Sequence, residues 1–206
     1  MPIKPGSPDV ANSHITANKQ PVKTRVAGFI LKWVPWIILL ITGAVYSKSL
    51  SCAFTNFDDD SFILKNEQIR DFSVDGLKTI FTSVKAGKYQ PLTNFSFALE
   101  YYFFGYNSLV VHLANLLLHA ASTLLVFRIA ERLSSSRITA IVTSLLFAIH
   151  PMHVEEVAWA SERKDTLYAF FYLLAMNAYL VYSVSGYKLK YYAAAFALFA
   201  AALLAK

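Results

Sequence analysis

The chain has 206 residues, 56% of them hydrophobic and only 16% charged, with a formal net charge of +6. Soluble domains carry roughly 45–50% apolar and about 25% charged residues, so this composition excludes an ordinary water-facing surface, and its hydrophobicity excludes a disordered chain. A single cysteine excludes a disulfide framework and any multi-cysteine zinc or iron–sulfur site.

Residues 1–25 are polar, rich in Pro, Ser, Asn and Lys, and read as a flexible cytoplasmic tail. The first apolar run covers 26–46. A hydrocarbon core of about 30 Å needs about 20 apolar residues, so this run predicts a membrane span. Lys32 can snorkel to the surface, and Trp33 and Trp36 suit an interfacial belt. Tyr46-Ser47-Lys48 follows instead of a small-residue cleavage site, so the run reads as a signal anchor. A long outer loop, 47–107, comes next. Within it Val74, Leu77, Ile80, Phe81 and Val84 recur at helical spacing, which predicts an amphipathic helix lying flat on the membrane. Pro91, Leu92, Phe95, Leu99, Tyr102 and Phe103 predict a second, with Pro91 in its first turn.

Further spans are expected at about 108–128, 138–149 (short) and 165–184, and an incomplete one at 191–205. The expected fold class is an all-α, multi-pass transmembrane helical bundle with amphipathic helices in its first outer loop. The basic tail before the first span and the short basic links after spans two and four place the N-terminus in the cytoplasm. The loop 47–107 and the segment His150–Asp165 then share the outer face. The positive charge is best spent on membrane phosphates, with no nucleic acid as partner.

Several groups could carry chemistry. Asp58, Asp59 and Asp60 stand just past the first span, where a carboxylate can serve a hydroxyl as general base. A solvated acidic turn is the plainer alternative. His112, Asn115 and His119 share one face of the second span, facing either neighbouring helices through hydrogen bonds or a wet cavity. His150-Pro151-Met152-His153, then Glu155 and Glu156, offers metal-ligand side chains. Pro151 breaks helical spacing there, so a divalent metal stays open. In Glu162-Arg163-Lys164-Asp165, Asp165 or Thr166 can cap the fourth span. Arg163 and Lys164 can hold a phosphate or simply anchor the interface.

These pieces occur in a fixed order: Phe57-Asp58-Asp59, Tyr89-Gln90-Pro91-Leu92-Thr93, His112 to His119, Leu146 to Glu155, Val157-Ala158-Trp159, and Glu162 to Asp165. From about Ser51 onward the chain resembles the membrane part of the transmembrane-and-tetratricopeptide-repeat proteins, their bacterial relatives above all. These are similar to the protein O-mannosyltransferases of the GT-C glycosyltransferase superfold. The resemblance implies a GT-C-like domain over 26–206 and transfer of a sugar from a polyprenyl- or dolichyl-phosphate donor to a protein hydroxyl. By position it implies Asp58 as general base, Asp59 as its acceptor-orienting partner and Arg163 as the donor-phosphate contact. His150, His153 and Glu155 match a second outer motif to which no role is assigned, and Asp60 falls outside the site. Implied partners are membrane lipid, a lipid-linked sugar and an acceptor protein. The membrane is the inner membrane in a bacterium or the endoplasmic reticulum in a eukaryote. The resemblance also implies more spans and then repeats, so the stop at Leu204-Ala205-Lys206 reads as a piece of a longer protein.

Two other classes compete. A non-catalytic membrane anchor or assembly scaffold would use the same helices without chemistry. A transporter would bind its cargo near the midplane, whereas here the charged candidates gather toward one face. The glycosyltransferase reading requires Asp58, Arg163 and the His150 segment to meet at one outer cavity.

Overall fold

A computed structural model describes residues 22–85 and 87–206, with side chains from Trp33 onward; residues 1–21 of the expected tail and the Lys32 side chain lie outside the described residues. The chain divides into two units at Trp33–Val34. The first contributes the helical backbone of Val22–Trp33, so helix begins inside the expected tail. Everything that follows concerns the second unit.

Eight α-helices are described: α1 Val22–Tyr46, α2 Val74–Thr82, α3 Pro91–Phe104, α4 Ser108–Ser134, α5 Arg137–Ile149, α6 Val154–Ala158, α7 Arg163–Val184 and α8 Leu189–Ala205. Short turns of tighter or wider helix, Ser47–Ser51, Asp60–Leu64, Glu67–Ile69, Pro151–His153 and Ala160–Glu162, join them. Among the described residues there is no strand, and Lys85 and Lys88 form an isolated bridge.

Three helical stretches are long and apolar enough to cross a membrane: Trp33–Ser51, Ser108–Ser134 and Ala160–Val184. The short third span is half of a bent pair, Arg137–Ile149 with Pro151–Ala158, which turns by 46°. Pro151 sits at the bend because it lacks the N–H that would continue the helix. α8 has 17 residues. At 1.5 Å per residue it reaches about 26 Å, short of a hydrocarbon core of about 30 Å.

Local chemistry sets the boundaries. Pro91 occupies the first turn of α3, as its spacing predicts. The Ser73 hydroxyl accepts the Gly76 N–H and caps α2 at 3.1 Å. The Ser136 hydroxyl accepts the Thr139 N–H and caps α5. α7 departs from expectation. It starts at Arg163 without a side-chain cap, Asp165 pairs with Lys206, and the Thr166 hydroxyl donates to the Arg163 carbonyl at 3.1 Å.

The polarity of the helices is inside-out. In α4 the buried set includes His112, Asn115, His119, Ser122 and Thr123, while Leu109, Leu113 and Leu117 point outward. α3 does the same: Thr93, Asn94, Phe97 and Ala98 are buried, and Leu99, Tyr102 and Phe103 are exposed. Leu99, Tyr102 and Phe103, part of the apolar face expected to lie on the membrane, are thus on the outer side of α3. In lipid this is the favoured arrangement, because small and polar side chains pack helices together while bulky apolar ones meet acyl chains. Interhelical bonds follow. Asn177 Nδ2 donates to the Leu125 carbonyl at 3.2 Å and Asn177 Oδ1 accepts from Arg132 Nη1 at 3.2 Å, tying α4 to α7. Thr93 Oγ1 donates to the Ala205 carbonyl at 2.8 Å, tying α3 to α8.

The segment between α1 and α4 is a folded cap. Ile63, Ile69 and Ile80 pack with Phe97, Val111 and Ala160 in one apolar cluster. α2 thus gives its Ile80 edge to protein and leaves Val74, Phe81 and Val84 outward. This cap lies over the end of the bundle where α4 starts and the segment before α7 ends.

Candidate functional site

Asp59 is 1% exposed. Its Oδ2 accepts the Thr55 N–H at 2.8 Å and the Thr55 hydroxyl at 3.1 Å, closing the turn after α1. Its Oδ1 accepts the Ser161 N–H at 2.9 Å, so one carboxylate joins that turn to the segment ahead of α7. Asp58 beside it is half-buried and has no hydrogen-bond partner among the described residues. Asp60 is spent on Lys65 at 2.6 Å.

Arg163, expected by resemblance to meet the donor phosphate, is engaged within the protein. Its side chain is 2% exposed, and every part of the guanidinium is engaged within the protein. Nε donates to Asn115 Oδ1; Nη1 donates to Glu100 Oε1 at 2.7 Å and Ser96 Oγ at 3.2 Å; Nη2 donates to Glu100 Oε2 at 3.3 Å and the Val111 carbonyl at 2.9 Å. Five N–H donors meet five acceptors, and Phe97 lies 5.2 Å from the guanidinium carbon. The bidentate fork expected for a donor phosphate is taken by Glu100. Arg163 instead clamps α3, α4 and the start of α7. Lys164 is likewise bound to Glu162.

The second motif divides. His150 is exposed, and its Nδ1 accepts the Met152 N–H at 3.2 Å, capping the turn at the bend. His153 pairs with Glu156 at 2.8 Å and lies 5.4 Å from the His119 ring. Glu155 points elsewhere, into a cavity of about 270 Å³ shared with Asp59, Thr55, His112, Ala158 and Trp159. A second cavity of about 280 Å³ holds His119, Ser122, His153, Glu156, Asp165 and Lys206. Thus Asp59 and Glu155 border one cavity, and Asp58, Arg163, His150 and His153 are not in its lining.

The polar face of α4 has three fates. Asn115 Nδ2 donates to the Trp159 carbonyl at 3.0 Å, beside its bond to Arg163. His119 Nε2 meets the Ala148 carbonyl at 3.0 Å. His112, 1% exposed, lines the first cavity, and neither ring nitrogen has a hydrogen-bond partner among the described residues. Among the described residues no three His, Cys, Asp or Glu side chains are grouped to hold a metal ion, so the donor set does not fit one and no step is routed through a metal.

Two participants escape the sequence reading. Glu100 is the counter-ion of Arg163, and its signal is legible: it is the lone charged residue in Pro91–Phe104. Trp159 reaches the first cavity and pairs with Phe57 at 5.9 Å between ring centres.

Lipid-facing helices with a buried polar seam, capped at one end by a carboxylate-lined pocket, define an integral membrane protein. Known proteins resemble the chain over much of its length. The chain is 31% identical over 164 residues to protein O-mannosyl-transferase TMTC3 of Homo sapiens, covering 75% of this chain and 17% of that protein. It is 34% identical over 153 residues to protein O-mannosyl-transferase TMTC2 of Mus musculus, covering 70% of this chain and 18% of that protein. It is 41% identical over 93 residues to protein O-mannosyl-transferase Tmtc1 of Drosophila melanogaster, covering 45% of this chain and 11% of that protein. The chain spans less than a fifth of the length of these relatives. No protein-family model matches it, and no solved structure does.

Proposed function

We propose that this chain is the acceptor-side part of a GT-C-like membrane glycosyltransferase of the TMTC kind. It moves a sugar, mannose by analogy with the relatives' names, from a polyprenyl- or dolichyl-phosphate donor to a Ser or Thr hydroxyl of a protein. The end bearing Asp58 faces away from the cytosol. The observation that carries this reading is the division of labour between neighbouring acids. Asp59 is locked by Thr55 and Ser161, while its neighbour Asp58 is half-buried and has no hydrogen-bond or ion-pair partner among the described residues. A hydroxyl is a poor nucleophile, so a carboxylate base is needed to take its proton. As the acceptor oxygen bonds to the anomeric carbon, the bond to the lipid phosphate breaks, the phosphate leaves with the electron pair, and the configuration inverts. Asp58 receives the proton. Asp59 orients the turn, and Arg163 holds the helices beneath it.

A non-catalytic scaffold is the second reading, and the full internal commitment of Arg163 favours it. Transfer of labelled mannose from a polyprenyl-phosphate donor to a Ser/Thr peptide, in membranes holding this chain or a full-length relative, separates the two. Asp58→Asn, or the matching change in the relative, is expected to lower transfer by about 10²–10⁴-fold. Unchanged transfer in that variant removes Asp58 from the mechanism.

A further inference from the structure

The end of the bundle away from the cap carries a groove that the candidate site does not use. It lies between α1 and α4 and has a volume of about 350 Å³. Trp36 and Leu39 of α1 and Leu124 and Phe127 of α4 wall it, and Arg128 and Glu131 complete the charged part of its lining. The helices beside it are seated, because Ile38 packs with Phe127, Ala140 and Ala148. At 1.5 Å per residue Arg128 stands about 30 Å along α4 from Ser108, the thickness of a hydrocarbon core. With the Ser108 end under the cap at one face of the bilayer, Arg128 reaches the headgroup level of the opposite leaflet.

The cations at this end have different fates. Arg132 donates to Asn177 at 3.2 Å, and Arg137 lies 3.8 Å from Glu131 and 5.9 Å from the Phe127 ring. Arg128 is exposed and has no hydrogen-bond or ion-pair partner among the described residues. A bare cation against an apolar wall at this depth is costly, and its planar fork of N–H donors matches a phosphate in two parallel bonds. Glu131 is the one carboxylate in the lining, and Arg137 offsets it. Trp36 is exposed, and an indole suits the boundary between acyl chains and headgroups. The groove is therefore apolar along the helices and cationic where headgroups lie. A soluble anion would meet the fork but leave Trp36, Leu39 and Leu124 uncovered. A zwitterionic lipid would cover them but bring its own ammonium toward Arg128. The cavity between α7 and α8 has no charged residue in its lining and offers nothing to hold a headgroup.

We propose that the α1–α4 groove is a site for an anionic glycerophospholipid, with its phosphate on the Arg128 fork and the upper part of an acyl chain along Trp36, Leu39 and Leu124. The occupant belongs to the leaflet opposite the cap and is a bound membrane lipid, not a reactant. The proposal therefore stands or falls apart from the transfer reading.

The test is native mass spectrometry of the 206-residue chain in detergent, with phosphatidylglycerol and phosphatidylcholine of identical acyl chains competing for the first bound lipid. The chain is expected to prefer phosphatidylglycerol by about tenfold. Arg128→Gln is expected to remove that preference, and Arg128→Lys, which keeps the charge and loses the fork, to keep part of it. Leu124→Trp, which fills the groove and leaves the arginine in place, is expected to weaken phosphatidylglycerol several-fold. Lys188→Gln with Lys190→Gln removes two exposed cations at the start of α8, away from the groove, and is expected to leave the preference unchanged. Because Arg128 is exposed, the melting midpoint of Arg128→Gln without added lipid is expected to stay near that of the parent. Equal affinity of the parent for the two lipids, an undiminished preference in Arg128→Gln, or an equal loss in the lysine double variant overturns the proposal. So does displacement of phosphatidylglycerol by inorganic phosphate, which would assign the arginine to a soluble anion.

Discussion

Replacing Arg163 by methionine tests the clamp most directly. The substitution removes five donors at once and leaves Glu100, whose side chain is 15% exposed, without a counter-ion. It also strands Asn115 Oδ1, the Val111 carbonyl and Ser96 Oγ. Breaking one side of a buried pair costs about 3–5 kcal/mol, because the remaining charge is buried and uncompensated. For a chain of this length each kcal/mol shifts the melting midpoint by roughly 2–4 °C, so a fall of about 6–20 °C is expected. Arg163→Lys keeps the charge but not the planar fork, and falls between the parent and the methionine variant. Changing both members, Arg163→Met with Glu100→Met, removes the stranded charge and restores most of the loss. The assay is thermal unfolding of the detergent-solubilised chain, followed by intrinsic fluorescence. A methionine variant that melts within a degree of the parent refutes the clamp. So does a double variant no better than the single one, since the cost would not then come from Glu100. A phosphate-contacting arginine predicts the opposite pattern: unchanged melting with donor binding lost.

Asp59→Ala strands the buried Ser161 N–H and the Thr55 N–H, and is expected to cost about 2–4 kcal/mol in the same assay, whereas Asp58→Asn stays within about 0.5 kcal/mol. Gly76→Ala drives a methyl into the Asp71 carbonyl oxygen and is expected to destabilise by about 1–3 kcal/mol, seen as a lower melting midpoint. The Ser73 side chain, and then its backbone N–H, hold the Asp71 carboxyl below its ordinary value. That contribution is complete above the unfolded value of about 3.9 and is lost as pH falls through the lowered native value. Ser73→Ala should therefore move the Asp71 carboxyl titration, read by NMR, upward toward an ordinary carboxylate.

The helices were legible because their apolar runs are long and their stops are chemical. Pro91 starts α3 where expected, and Ser108–Ser134 and Arg163–Val184 contain the spans expected at 108–128 and 165–184. For α3 the apolar spacing marked Tyr102 and Phe103, which are exposed, but gave no sign that Thr93 and Asn94 would be buried. α4 was easier, because His112, Asn115 and His119 on one helix face have nowhere to go but inward in lipid. The site was legible in part. The bond from Ser161 to Asp59, and the local partners of Arg163 and His153, are contacts that spacing alone does not reveal. Glu100 shows why. A single acid in an apolar helix announces a buried partner without saying which cation, 63 positions further along the chain, will supply it.

That separation carries a consequence for biogenesis. The ribosome delivers Glu100 before Arg163, and at roughly 5–20 residues per second the delay between them is about 3–13 s. During that interval Glu100 lacks its Arg163 partner, so the buried pair that joins α3 to the start of α7 closes only after the later helix has been made.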